Sequence, residues 1–150
     1  MPQFRFRLAT LQKLREALRD QRRSALAEAQ HALDLLDEQL ARVAAEFQEL
    51  RRRYQSAARP GALEVDRLVE VQRYELVLRA EQQRFEQQRE TIRAEVERRR
   101  EALVAADREV KVLEKLREKQ ETRHRREDDQ REMKRIDEVA GRRHVAEEAR

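Results

Sequence analysis

The stretch Ala57-Ala58-Arg59-Pro60-Gly61 decides the fold, because it holds a strong helix breaker inside a chain that otherwise favours helix. Proline followed by glycine is typical of a tight turn, which we place at residues 58–61. The 150 residues are 44% charged and 4% aromatic, with many Ala, Leu, Glu, Arg and Gln. Such residues form helices well but cannot fill a thick core. We expect one domain with a long helix on each side of the turn.

Before the turn, apolar residues recur at heptad spacing and form an a/d seam. One column is Leu26, Leu33, Leu40, Phe47 and Tyr54, and its companion is Ala29, Leu36, Val43, Leu50 and Ala57. Upstream, the seam continues one residue out of phase through Phe4, Leu11, Leu18 and Ala25. A phase change of this kind locally alters the supercoil. The pattern predicts a first helix over about residues 4–57.

The segment after the turn has a less regular seam. Its main column is Val71, Leu78, Phe85, Ile92, Arg99, Ala106 and Leu113. Between Arg117 and Glu132 no apolar residue occurs, and an apolar stripe then returns at Met133, Ile136 and Ala140. We predict a second helix over about residues 62–140, a stop at Gly141 and a frayed tail at 141–150.

A chain folded back at residue 60 pairs residues whose numbers add to about 120. Leu50 then faces Val71, Leu11 faces Val110, and Phe4 faces Leu116. The second helix loses its seam opposite the N-terminal end of the first helix. The position of the turn and the end of this seam therefore indicate the same antiparallel arrangement. We therefore predict an all-α fold of two long helices in an antiparallel coiled-coil hairpin, monomeric when free. From Arg117 the second helix overhangs the first by about 40 Å.

Residues suited to catalysis or metal binding are few. The chain has no cysteine, no glycine-rich phosphate loop and only two serines. His31, His124 and His144 lie far apart, and the spacings His124/Asp128 and His144/Glu148 each supply two ligands where structural zinc needs four. We expect solvated surface histidines, no enzyme activity, no cofactor, and no catalytic, cofactor-binding or metal-binding residue.

Both ends of the chain carry motifs of a known family. The opening Phe4-Arg5-Phe6-Arg7-Leu8, the run Val112-Leu113-Glu114-Lys115-Leu116-Arg117-Glu118 and the ending Glu132-Met133-Lys134-Arg135-Ile136-Asp137-Glu138-Val139-Ala140 resemble the FliJ family of flagellar type III export proteins. Chain length and the two-helix plan agree, so the resemblance covers nearly the whole chain. One departure is His124, where an aromatic residue is common in relatives.

The resemblance implies a soluble, stalk-like coiled coil of the flagellar export apparatus. Its paired ends would enter the hexameric export ATPase and promote ring assembly. It would link that ring to the transmembrane export gate and to export chaperones. The expected place is the cytoplasm, with peripheral association to the inner membrane at the flagellar base. A role in motility follows from the same resemblance.

Two surfaces are candidate partner-binding sites. For the ATPase ring we predict the hairpin base and the terminal stripe: Phe4, Arg5, Phe6, Arg7, Met133, Ile136, Asp137 and Glu138. Alternatively, Phe4 and Phe6 only clamp the base, a weaker case for Phe6, which lies off the seam phase. For the gate or a chaperone we predict an outward strip of Val69, Leu76 and Ala80. With Val71 and Leu78 facing the seam, Val69 and Leu76 point to the opposite face of the helix. The alternative is isolated surface apolar residues.

Two other functions remain open at this point. A structural or scaffolding coiled coil that dimerises in parallel is one, although Pro60 and Gly61 argue against a continuous rod. A basic, nucleic-acid-associated coiled coil is the other, since residues 1–23 carry a net charge of +5. The remaining 127 residues sum to −1 and so lack the continuous basic stripe that such binding favours. We therefore predict no nucleic-acid partner.

Overall fold

The computed structural model describes residues 3–60 and 64–149. Helix α1 spans Ala9–Ala57 and helix α2 spans Val65–Glu148, and these described residues contain no strand. The two helices pack against each other as an all-α hairpin, which confirms the predicted fold class. Gly61 of the predicted turn lies outside the described residues, as do the predicted first residues of helix two, 62 and 63.

The turn is held by backbone hydrogen bonds at its two flanks. The Glu64 amide donates to the carbonyl oxygen of Ala57 at 3.4 Å, and the Ala58 amide donates to that of Tyr54 at 3.0 Å. These bonds satisfy carbonyl groups that the end of α1 leaves without helical partners. Helix α1 ends at Ala57 and α2 begins at Val65, so the midpoint between the helices in sequence is position 61, one residue after the predicted position 60.

The predicted helix bounds are wrong at two ends. Residues 3–6 have no regular secondary structure, and α1 begins at Ala9 rather than at residue 4. Phenylalanine and arginine alternate there, a period of two that suits extended chain rather than helix. Helix α2 passes through Gly141 and reaches Glu148, because one glycine costs only about 1 kcal/mol in a helix and good helix formers flank it.

Two compact units divide the chain, and each contains parts of both helices. Asp20–Val104 forms one unit, and the described residues up to Arg19 and from Ala105 form the other. In the first unit Leu50, Val71 and Leu78 form a buried cluster, with Phe47 packed against it. This contact confirms the predicted pairing of Leu50 with Val71. The expectation of a single domain stays a prediction.

Register within the Asp20–Val104 unit is visible in three polar contacts between the helices. The Tyr74 hydroxyl donates to Glu46 at 2.7 Å, Arg89 pairs with Asp37 at 2.7 Å, and Arg99 donates to the Ala25 carbonyl oxygen at 2.6 Å. The paired numbers add to 120 at Tyr74, to 126 at Arg89 and to 124 at Arg99. At Arg89 and Arg99 the paired residues therefore lie one to two helical turns from the predicted alignment.

The other unit buries a different set of residues than the seam predicts. Gln12 is buried on α1, whereas Leu11 is 36% exposed, and the expected contact of Leu11 with Val110 stays a prediction. On α2, Val110 and Leu113 are buried as predicted. The Gln12 amide donates to Glu16 at 3.2 Å, which partly compensates its burial.

Candidate partner-binding surfaces

The N-terminal segment has no regular secondary structure at residues 3–6, and residues 7–8 form a turn that leads into α1. Outside a helix, successive side chains tend to point in opposite directions, which places Phe4 and Phe6 on one side of the segment and Arg5 on the other. Accordingly, Phe6 is buried, Phe4 is half-buried, and both arginines are exposed. The prediction that Phe6 lies off the seam is wrong, because it applied a helical period to chain that is not helical.

Phe4 contacts His124 rather than Leu116. The ring centroids are 5.8 Å apart and the rings are tilted by 38°. Chain outside a helix advances up to about 3.3 Å per residue against 1.5 Å in a helix, so the segment reaches two turns further along α2 than predicted. His124 thus makes an aromatic contact with Phe4.

The prediction that His124 is a solvated surface histidine is wrong. Its side chain is three-quarters buried, and Nε2 lies 3.3 Å from Oδ2 of Asp128. Glu121, His124 and Asp128 are half-buried at helical spacing, so α2 has a partner surface well beyond Arg117. The predicted start of the overhang at Arg117 is therefore wrong. No group of three or more metal-ligating side chains occurs among the described residues.

Beyond Asp128, every described residue of α2 up to Ala149 is exposed, and the same helix still continues to Glu148. Two ion pairs stabilise α2 around Asp128: Arg125 lies 2.7 Å from Glu121, and Arg131 lies 3.6 Å from Asp128. Such pairs add a few tenths of a kcal/mol each to an exposed helix. We call residues 129–149 the terminal helix arm.

The terminal helix arm displays the apolar stripe that the sequence predicted. Met133 and Ile136 are exposed, Ile136 at 60%, and the neighbouring Asp137 and Glu138 are exposed as well. Met133 lies about 13 Å along the helix from His124, where Phe4 packs. The structure therefore does not bring the two halves of the predicted ring-binding set together.

The outward strip near the turn is present on α2. Val69 and Leu76 are exposed, Leu76 at 68%, and Ala80 is exposed on the same face. Val65, four residues before Val69, extends the strip, and the sequence reasoning missed it. The i, i+4 spacing was the signal that could have found it.

Beside the strip, the hydrogen bond from Tyr74 to Glu46 raises the pKa of the Tyr74 hydroxyl above its ordinary value near 10. A phenol that donates to a carboxylate releases its proton less readily, since the phenolate would face a negative charge. This contact joins α1 to α2 next to the strip and fixes the outward face of α2 there.

The described residues include no helix long and apolar enough to cross a membrane.

Compared with protein families, residues 4–149 match the family model described as "Flagellar FliJ protein". No curated protein and no solved structure matches the chain.

Proposed function

The chain belongs to the FliJ family of flagellar export proteins, and on this premise we propose that it acts as a stalk in the export apparatus. In this proposal it inserts into the hexameric export ATPase, promotes ring assembly, and links the ring to the export gate and to export chaperones. The supporting observation is the terminal helix arm, a continuous helix whose side chains are all exposed yet include an apolar stripe.

The arm suits insertion into a ring because it is a single helix about 10–12 Å wide. Met133 and Ile136 would supply apolar anchors, and Asp137 and Glu138 would pair with cations that line the ring. Of the N-terminal residues, Arg5 and Arg7 are the exposed contacts in this proposal. Phe4 and Phe6 would act by holding the N-terminal segment on α2.

The outward strip is proposed as the second docking surface, for the gate or a chaperone. Val65, Val69, Leu76 and Ala80 lie along one face of α2 and are exposed, which is the pattern of an apolar helix face that receives a partner. A strip on α2 near the turn is separate in sequence from the terminal helix arm. One chain could therefore contact two partners at once, as a link between them requires.

Chemistry belongs to the partners in this proposal. We propose that the chain contributes no catalytic group, binds no cofactor and no nucleic acid, and works as a monomer on the cytoplasmic side of the inner membrane. ATP hydrolysis is then the work of the ring alone, and the stalk changes its rate through assembly.

Stimulation of the purified export ATPase tests the ring assignment. Ile136→Asp is expected to abolish most of the stimulation, because a charge replaces an apolar anchor at the contact. Gln130→Asp, an exposed site on the same arm, is the matched control and should stimulate normally. Normal stimulation and normal motility with Ile136→Asp would contradict the assignment.

A truncated chain that ends at Asp128 provides a second test in a pull-down of the ATPase. This truncation keeps the Phe4–His124 contact but removes the terminal helix arm. Loss of ATPase capture with retained gate or chaperone capture is expected. Capture of the ATPase at full strength would show that the arm is not its binding site.

For the outward strip, Val69→Glu with Leu76→Glu should weaken capture of the gate or chaperone while ATPase stimulation persists. The control double variant, Gln72→Glu with Gln83→Glu, makes the same change in net charge at exposed polar positions. Should the strip variant fold normally and keep every partner, the strip is an ordinary set of surface residues.

A further inference from the structure

An exposed apolar face in the smaller unit is used by none of the proposed contacts. Leu14 is 65% exposed on α1, and Val112 is 64% exposed on α2. Leu11 is also exposed, and Leu18 and Leu116 are half-buried. Side chains this large are usually found singly on a surface, so several on neighbouring helices need a reason.

One ion pair places these residues on the same side of the two helices. Arg15 Nη1 lies 2.6 Å from Oε2 of Glu109. Leu11 and Leu18 share a stripe with Arg15, since residues spaced by three and four lie on one helical face, and Leu14 lies beside Leu11 and Leu18 on the side away from Arg15. Val112 and Leu116 share a stripe with Glu109 for the same reason. Leu11, Leu18 and Leu116 therefore lie beside the Arg15–Glu109 pair, and the more exposed Leu14 and Val112 lie further out on the same side; we call these five residues the leucine face.

The charges at the edge of the leucine face are positive. Arg108, Lys115 and Lys119 are exposed and follow the spacing i, i+7, i+11, with Val112 at i+4 in the same stripe. The acidic residues follow another stripe of α2: Asp107, Glu114 and Glu118 share it with Lys111, which pairs with Asp107 at 2.8 Å. On α1, Glu16 accepts from the buried Gln12 and so lies across the seam from Arg15.

We propose that the leucine face binds the surface of a membrane that contains anionic phospholipid. Exposed leucine and valine enter the acyl boundary, and the long side chains of Arg108, Lys115 and Lys119 reach the phosphate groups. The Arg15–Glu109 pair joins the two helices within the face and places two charged groups where an apolar partner helix would have to pack. An exposed apolar surface with a cationic edge matches the acyl boundary and the phosphate groups of an anionic lipid surface. This contact goes beyond the proposed function, which needs only proteins.

Binding of the full chain to vesicles tests the proposal directly. The probes are vesicles of phosphatidylcholine alone and vesicles with about a third phosphatidylglycerol, a content at which the surface charge should dominate the attraction. We expect co-sedimentation with the anionic vesicles only, weakening as salt screens the charges. Absence of binding to anionic vesicles at low salt would overturn the proposal.

Three variants locate the contact on the molecule. Arg108→Gln with Lys115→Gln and Lys119→Gln should weaken binding about a hundredfold, given about tenfold or less for each cation near an anionic surface. Leu14→Gln with Val112→Gln should weaken it about tenfold or more. A control that removes three exposed cations elsewhere, Arg42→Gln with Arg51→Gln and Arg59→Gln, has the same net charge as the first variant.

Equal weakening by the control and the first variant would show attraction by net charge alone and would overturn the assignment to this face. Circular dichroism checks that each variant keeps its helix content. ATPase stimulation in lipid-free solution, measured with the same variants, separates this proposal from the stalk function: loss of vesicle binding with normal stimulation is the expected pair of results.

Discussion

Arg99 donates a hydrogen bond of 2.6 Å from Nη1 to the main-chain carbonyl oxygen of Ala25. Arg99 occupies an apolar seam position of α2, and Ala25 is the residue where the seam of α1 changes phase before Leu26. Glu95 holds the guanidinium from the other direction, with Nε 2.8 Å from its carboxylate oxygen. The guanidinium of Arg99 therefore lies where the apolar seam of α1 changes phase.

Replacing Arg99 by leucine should change the free energy of unfolding by no more than about 1 kcal/mol, since the lost contacts with Glu95 and Ala25 oppose the desolvation that the guanidinium no longer costs. The register should become less unique, because a polar seam residue fixes alignment. Distances between spin labels at His31 and Arg93 in the same unit measure this. A narrow, unchanged distribution in the variant would show that Arg99 does not set the register.

The pKa of Glu95 should be low and should depend on Arg99. The hydrogen bond from Arg99 holds the pKa of this carboxyl below its ordinary value, so the stabilisation is present above that value and is lost as the pH falls through the lowered pKa. Arg99→Leu should raise the pKa of Glu95, as a carboxyl carbon NMR titration would show. Arg100→Leu is the control and should leave it in place.

Tyr74 should ionise above pH 10. Its hydroxyl donates to Glu46, which raises the pKa, so the contact stabilises the fold at lower pH and is lost as the pH rises through the raised value. The absorbance of the phenolate, followed in a Tyr54→Phe background, reports Tyr74 alone. Glu46→Gln should lower the midpoint, whereas Glu49→Gln should not.

Leu78 and Leu76 provide a matched pair two residues apart on α2. Leu78 is 1% exposed within the cluster with Leu50 and Val71, so Leu78→Ala should lower the free energy of unfolding by about 2–5 kcal/mol. Leu76 points outward, and Leu76→Ala should change it by less than about 0.5 kcal/mol. Urea unfolding followed by circular dichroism measures both. Similar losses would mean that the facing of α2 is wrong.

Light scattering on the isolated chain should give a mass near 18.1 kDa, that of one chain. The buried seam residues of α2, such as Leu78 and Val110, are already covered within the molecule and leave no seam for a parallel dimer. A dimer of twice this mass that persists at micromolar concentration would favour the scaffolding alternative. The measurement needs moderate salt, so that exposed charges do not bring chains together.

Local patterns in the sequence were sufficient for the two helices, the turn near Pro60 and the pairing of Leu50 with Val71. The alternation of phenylalanine and arginine at the N-terminus is equally local, but a helical period does not describe it and places Phe4, Phe6 and the start of the overhang incorrectly. The outward facing of Val69 and Leu76 follows from the inward facing of Val71 and Leu78, which lie two residues later in the chain. Each of these features depends on residues close together in the chain.

By itself, the sequence determined that two long helices flank the turn near Pro60 and which face of each is apolar near that turn, because propensity and periodicity act over one or two turns. Only the tertiary structure decided the alignment of the helices away from the turn, the contact of Phe4 with His124, and the position of the leucine face around the Arg15–Glu109 pair. Those features depend on which residues meet across the seam. A heptad repeat tolerates alignments that differ by a turn, so specific polar contacts between distant residues select one of them.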